Sequence, residues 1–306
     1  MAVVDTEAKL DAAPPAPETW AARAWSEFAE NWIAVGALVV IVALIAVAIV
    51  APWITPQNPY DLTQLNIMDN MLPPGERSMD GKLYLLGTDE QGRDMVSAIL
   101  YGLRLSLFVG VTATVIALAV GTTVGIVAAY FGGRIDTILM RLVDIQLSFP
   151  AILIALILLA ILGKGVDKVI IALVSVQWAY YARTIRGAAL AERRREYIEA
   201  AQCLALPQSR VIFRHLLPNA FPPLIVLAAV QVAHAIALEA TLSFLGVGVP
   251  ITEPSLGLLI ANGYGFMLSG KYWVAFYPGV ALLIAIVAIN LVGDQLRDVM
   301  NPRLKR

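Results

Sequence analysis

Residue types able to do chemistry are few in this sequence, and they do not converge on one constellation. There is no H-E-x-x-H pair for zinc-assisted hydrolysis and no G-x-S-x-G elbow for a serine nucleophile. One cysteine, Cys203, excludes an intrachain disulfide framework, and the two histidines, His215 and His234, are too few to hold a metal unaided. Gly265 to Lys271 has the glycine-to-lysine spacing of a phosphate-binding loop, but Tyr272 stands where Ser or Thr must meet Mg²⁺. Four ionisable residues, Asp144, His234, Glu239 and Asp294, lie in or beside long apolar runs, where charge is costly and often functional. Asp144 and Asp294 have Arg141 and Arg297 three positions away, on one helical face, which favours structural ion pairs. His234 and Glu239 stay open between a proton relay and a packed polar role.

The densest charge lies elsewhere. Between Arg183 and Pro218 stand seven arginines together with Glu192, Glu196 and Glu199. Gly187 is a poor helix residue, so a helix is expected to begin after it, at Ala188, and to run to Leu206, where Pro207 stops it. Tyr197, Ala201 and Leu204 follow the i, i+4, i+7 rule and give that helix an apolar stripe. The arginines could enforce topology, or the helix could lie on anionic lipid. Acidic residues would be repelled by such a surface, so a groove on another protein suits it better.

These residues must be positioned by what surrounds them, and that is mostly hydrocarbon-like. The chain has 306 residues, 59% hydrophobic and 15% charged, against roughly 45–50% and about 25% in soluble domains. One compact water-soluble domain cannot be covered with so little polar material, and a net charge of −1 leaves no footprint for nucleic acid. The apolar residues come in blocks. Ile33–Ala51, Leu105–Phe131, Ile145–Gly163, Leu216–Leu238 and Tyr272–Gly293 each match the roughly 20 helical residues that cross a bilayer core. Val169–Ala182 is shorter and spans only if it continues past Arg183. Counting it, the fold class is all-α and polytopic, with six transmembrane helices. The runs lack the alternation of barrel strands.

With six spans, one side of the membrane carries 15 of the 22 lysines and arginines, so both termini read as cytoplasmic. Residues 1–31 read as a disordered amino-terminal tail, 32–104 as a first span with a long outer loop, and 105–306 as a five-helix core whose cytoplasmic loop covers about 183–218. The loop from Pro52 to Arg104 is rich in turn residues, with Gly87-Thr88-Asp89 and Gly92-Arg93-Asp94 just before the second span. Gly121 and Gly125 form a G-x-x-x-G, a pattern for close helix packing.

The arginine-rich loop resembles that of a known family. Glu199-Ala200-Ala201, then Ala205 and Leu217-Pro218-Asn219, resemble the EAA loop of ABC-importer permeases, with Ala205 where the family usually has glycine. Gly87-Thr88-Asp89 with Gly92-Arg93-Asp94, Arg141 and Asp144 with Ser148-Phe149-Pro150, and Glu239-Ala240 with Leu242 to Gly246 resemble further stretches of the dipeptide/oligopeptide/nickel permeases. Gly293-Asp294, Leu296-Arg297-Asp298 and Pro302-Arg303 resemble its carboxyl-terminal pattern, from which Asn301 departs. The outer loop and the helix before it look like the C-type subunit.

The resemblance implies the transmembrane domain of a type I ABC importer for short peptides, not an enzyme in itself. It implies a second homologous permease, two cytoplasmic ATPase subunits carrying the ATP and Mg²⁺, and an extracytoplasmic binding protein. This chain would bind no cofactor. Glu199, Ala200, Ala201, Leu204, Ala205, Leu217 and Pro218 would form the ATPase-coupling loop, with Asp144, Glu239 and Asp294 structural or gating. The other class is an ion- or proton-coupled secondary transporter acting alone. It has no need of the long loop, and the inverted repeats common in such proteins are not evident.

Overall fold

A computed structural model describes residues 20–78 and 81–300. Helix α1 (Trp20–Ala29) occupies a stretch assigned above to a disordered tail; residues 1–19 of that tail lie outside the described residues. Asn31 caps α2 (Trp32–Ile54), its side chain accepting from the amides of Ile33 and Ala34. An outer loop follows, with a two-residue hairpin, β1 (Glu76–Arg77) against β2 (Leu83–Tyr84).

Helix α3 (Met95–Phe131) starts ten residues before the apolar run and ends where Gly132 turns at φ +66°. Asp94 caps it, accepting from the Ser97 amide at 2.8 Å. Gly87-Thr88-Asp89 and Gly92-Arg93-Asp94 form a collar on this end. Thr88 donates to the Asp69 carbonyl at 2.6 Å, and buried Arg93 pairs with Asp89 at 2.8 Å. The Trp273 indole reaches the Thr88 carbonyl at 3.1 Å. Glycine is required at 92, since a Cβ there would meet the Asn66 carbonyl oxygen at 2.3 Å with φ +72°.

The run Ile145–Gly163 is not one continuous helix. It divides between α4 (Gly133–Ser148) and α5 (Ala151–Leu162), which meet at 91°. Phe149 is extended, as a residue before proline must be, and Pro150 has no amide to continue the ladder. Helix α6 (Val166–Glu192) does continue past Arg183; its 27 residues reach about 40 Å, enough to cross. It also runs straight through Gly187, against the expected helix start, because α3 and α4 support it there.

Past α7 (Glu196–Cys203) and α8 (Gln208–Arg210), a π-helical turn at Val211–Leu216 leads into α9 (Leu217–Ala220). Pro222 and Pro223 then open α10 (Pro222–Phe244), shifting that span outward from the expected Leu216–Leu238. His234 is therefore at its middle, and Glu239 is inside it. Helix α11 (Leu256–Tyr264) and α12 (Trp273–Met300) complete the bundle, α12 carrying Asp294 and Arg297 within the helix. The stretch Gly265–Lys271 is a short turn between α11 and α12 and follows no strand, so it lacks the strand–loop–helix setting of a phosphate loop.

Among the described residues four helices, α2, α3, α10 and α12, are long and apolar enough to cross a membrane, and α4 with α5 adds a bent pair. The expected count of six transmembrane helices is not matched exactly by length and composition, which give four, or five with the bent pair as one span; α6 is long enough but more charged. Helix α3 lies along α6, and α10 packs on α3, α6 and α12. The G-x-x-x-G sits at the α3–α6 contact: a Cβ on Gly121 or Gly125 would lie 2.3 Å from the Trp178 or Ala182 carbonyl oxygen.

Candidate functional site

The arginine-rich segment begins on a firm base. Three of its seven arginines bond to groups on neighbouring helices of this chain. Arg183 pairs with Asp144 at 2.5 Å, and Arg186 binds the Asp136 carboxylate with two nitrogens, one at 2.6 Å. Arg193 donates to the Ala129 carbonyl at 3.0 Å and lies over the Tyr130 ring. The pairing expected between Arg141 and Asp144 is replaced by this one across helices, because α4 and α6 bring longer-range partners closer. Asp294 is exposed and forms no ion pair with Arg297 among the described residues.

On that base sits α7. Ile198 and Ala201 face inward, in one apolar cluster with Val211, Leu216 and Ala220. The expected stripe of Tyr197, Ala201 and Leu204 is therefore not the buried face. Tyr197 instead donates to Glu192 at 2.7 Å, and its phenol is pushed up to about 12 by burial and then by that carboxylate. Glu199, Ala200, Gln202, Cys203 and Leu204 point outward, Leu204 at 74% exposure.

Helix α7 ends in a Schellman motif: the Leu206 amide reaches the Ala201 carbonyl at 3.3 Å and the Ala205 amide that of Gln202 at 2.9 Å. Ala205 carries this turn at φ +50°, a left-handed conformation that glycine adopts without strain. The π-helical turn has its own cause in Pro218, whose ring would crowd the carbonyl four residues back; the Leu217 amide bonds five residues back, to Ile212. Asn219 closes the turn by donating to the His215 carbonyl at 2.7 Å. Glu199, Ala200 and Leu204 thus form an exposed ridge of a carboxylate, a small residue and a leucine, on and just after an anchored helix of eight residues.

The general model for binding-protein-dependent transport system inner membrane components matches residues 121–306, which include all of this ridge. The chain belongs to this family. A second model, the N-terminal transmembrane domain of oligopeptide transport permease C, matches residues 19–74 of the permease. It is 39% identical over 302 residues to the dipeptide transport system permease protein DppC of Escherichia coli, covering 98% of this chain and 99% of that one. The dipeptide permease of Haemophilus influenzae is 36% identical, with 95% and 97% covered. The di/tripeptide permease of Pseudomonas aeruginosa is 37% identical, with 92% and 91% covered. The MetNI methionine ABC transporter in an inward-facing conformation shares the fold at 22% identity and a TM-score of 0.55, covering 67% of this chain and 97% of that one.

The residues expected in the coupling loop are not all exposed. Glu199, Ala200, Leu204 and Ala205 are exposed and contiguous, while Ala201 is buried in the chain's own core and Leu217 is half-buried. Pro218 is exposed and shapes the turn. Phe213, missed by sequence reasoning, is 69% exposed on the π-helical turn packed against α7. An aromatic between Arg210 and Arg214 was the available signal. Glu239 is 0% exposed and far from this loop in sequence, bonded to Ser106 of α3.

Proposed function

We propose that this chain is the C-type permease subunit of an ABC importer for short peptides. The observation that carries the reading is the pair of matching models, the permease C amino-terminal domain followed by the general permease domain, with dipeptide permeases aligned along at least 92% of the chain. A second permease would complete the pathway, two cytoplasmic ATPases would bind ATP and Mg²⁺, and an extracytoplasmic protein would deliver the peptide. The permease itself would make and break no bonds and carry no cofactor. Both termini and residues 183–218 would be cytoplasmic, with Glu199, Ala200 and Leu204 in a cleft of the ATPase. ATP-driven closure would draw the two coupling loops together and switch the bundle between inward- and outward-facing states.

Uptake of labelled di- and tripeptides by the reconstituted complex tests this. Vanadate-sensitive, partner-dependent uptake is expected. Uptake by the chain alone, collapsed by an uncoupler, would establish a secondary transporter instead. Cys203, the one thiol and exposed, tests orientation: an impermeant reagent should reach it from the cytoplasmic face alone.

A further inference from the structure

Most surface that α2 and α12 leave uncovered is hydrocarbon-like, with Val39, Val42, Ile284 and Val287 among the exposed side chains. Helix α10 differs. At its middle His234 is exposed, and a cavity of about 470 Å³ opens between α5, α6 and α10 beside it. Gln177, Tyr180, Gln231, His234 and Thr241 line it, against Ala151.

The polar groups there divide into two kinds. Gln177 is consumed by the fold: its carboxamide accepts from the Thr114 hydroxyl at 3.3 Å and donates to the Gln231 carbonyl at 3.1 Å. It ties α3, α6 and α10 together. The Gln231 side chain, in contrast, is only 6% exposed and makes no hydrogen bond to any described residue. The His234 imidazole has no such bond either, and Thr241, which donates to the Ala237 carbonyl at 2.8 Å, keeps lone pairs free. Unpaired amide and imidazole groups at the depth of the bilayer core are costly against lipid, which offers them nothing. Their place is against water or a polar ligand.

We infer that Gln231, His234 and Tyr180 form a mid-membrane station on the transport path that hydrogen-bonds the backbone of a passing peptide. This rests on the proposed import of peptides. The volume lies in the range of small-ligand sites, roughly 300–1,000 Å³. A carboxamide offers one acceptor and two donors, the complement of a peptide group, while the imidazole and phenol suit carbonyl and carboxylate oxygens. Contacts to the backbone accept any sequence, and Ala151, Ile152 and Leu238 leave apolar wall for side chains.

The test uses the complete importer in vesicles, with Cys203→Ala as background and single cysteines from Gln231→Cys, His234→Cys and, on α2 at similar depth, Val42→Cys. A charged, water-soluble thiosulfonate should modify positions 231 and 234 at least tenfold faster than 42, and peptide under turnover should slow it severalfold. Gln231→Leu should cut peptide uptake at least tenfold. Labelling of 231 and 234 no faster than 42 means that lipid or the second permease covers the face, and overturns the station. So does labelling that transported peptide leaves unchanged, or normal uptake by Gln231→Leu. Wild-type uptake is measured in the same vesicles: if it is present without protection, the station alone falls. If no peptide is imported, the peptide reading falls and takes the proposed occupant with it.

Discussion

Glu239 and Ser106, 133 positions apart in the chain, meet at 2.8 Å in the interior of the bundle. The second carboxylate oxygen accepts from Ser243, one turn further along α10, also at 2.8 Å. Ser243 in turn lies so close beneath Gly248 that a Cβ there would sit 2.4 Å from its hydroxyl. The carboxylate thus ties α3 to α10, and Ser243 carries the contact on to the turn that follows α10. The residue read from sequence as either relay or packed polar group has the surroundings of the second.

Replacing Glu239 by leucine should orphan both hydroxyls and cost about 2–4 kcal/mol, at about 1–3 each. Gln keeps one acceptor and gains a donor that either serine can accept, so Glu239→Gln should stay within about 1 kcal/mol of wild type. Thermal unfolding of the purified complex measures both. A stable Gln variant that has lost all transport would revive the relay.

Gly125 leaves no room at the α3–α6 contact, where a Cβ would come within 2.3 Å of both the Ala182 carbonyl oxygen and Ile185 Cγ2. Gly125→Leu should cost about 3 kcal/mol or more and deplete the protein from membranes. Gly36→Ala, with nothing within 4 Å, should be neutral or slightly stabilising. Immunoblots of membrane fractions compare the two, and equal levels would refute the close contact.

Ala205 holds a left-handed turn at φ +50°. Ala205→Gly should stabilise the end of α7 by about 1 kcal/mol, and Ala205→Val should destabilise it by a similar amount. Hydrogen exchange at the Ala205 and Leu206 amides, which close the motif, reports the change. Faster exchange in the glycine variant would contradict the assigned strain.

Glu199 stands outward on a helix whose inner face is already satisfied by Ile198 and Ala201. Glu199→Arg should leave folding unchanged within about 0.5 kcal/mol, as an exposed substitution. It should abolish uptake and the stimulation of the ATPase by loaded binding protein. Normal uptake by this variant would remove Glu199 from the docking surface.

Much of this protein is written locally, and for a physical reason. Run length against bilayer thickness marks α2, α3, α10 and α12, because solvation by lipid depends on composition and not on neighbours. Breakers also act through their own backbones, yet the expected runs Ile145–Gly163 and Leu216–Leu238 passed over Pro150 and the Pro222-Pro223 pair, where the structure bends the chain and begins a helix. The loop around Glu199 is legible because its charge contrasts with everything around it. What local pattern cannot specify is which partner a side chain meets. Arg141 was the nearest cation to Asp144 along the chain, yet Arg183, 39 positions away, takes the carboxylate once α4 lies on α6. Gly187 weakens a helix in isolation, and tertiary packing carries α6 through it to Glu192. Ala201 belongs to the stripe by periodicity but turns inward, because Val211 and Leu216 arrive from the π-helical turn to cover it. Periodicity defines the faces of a helix. The long-range contacts that fix which face is buried exist only after the chain has folded.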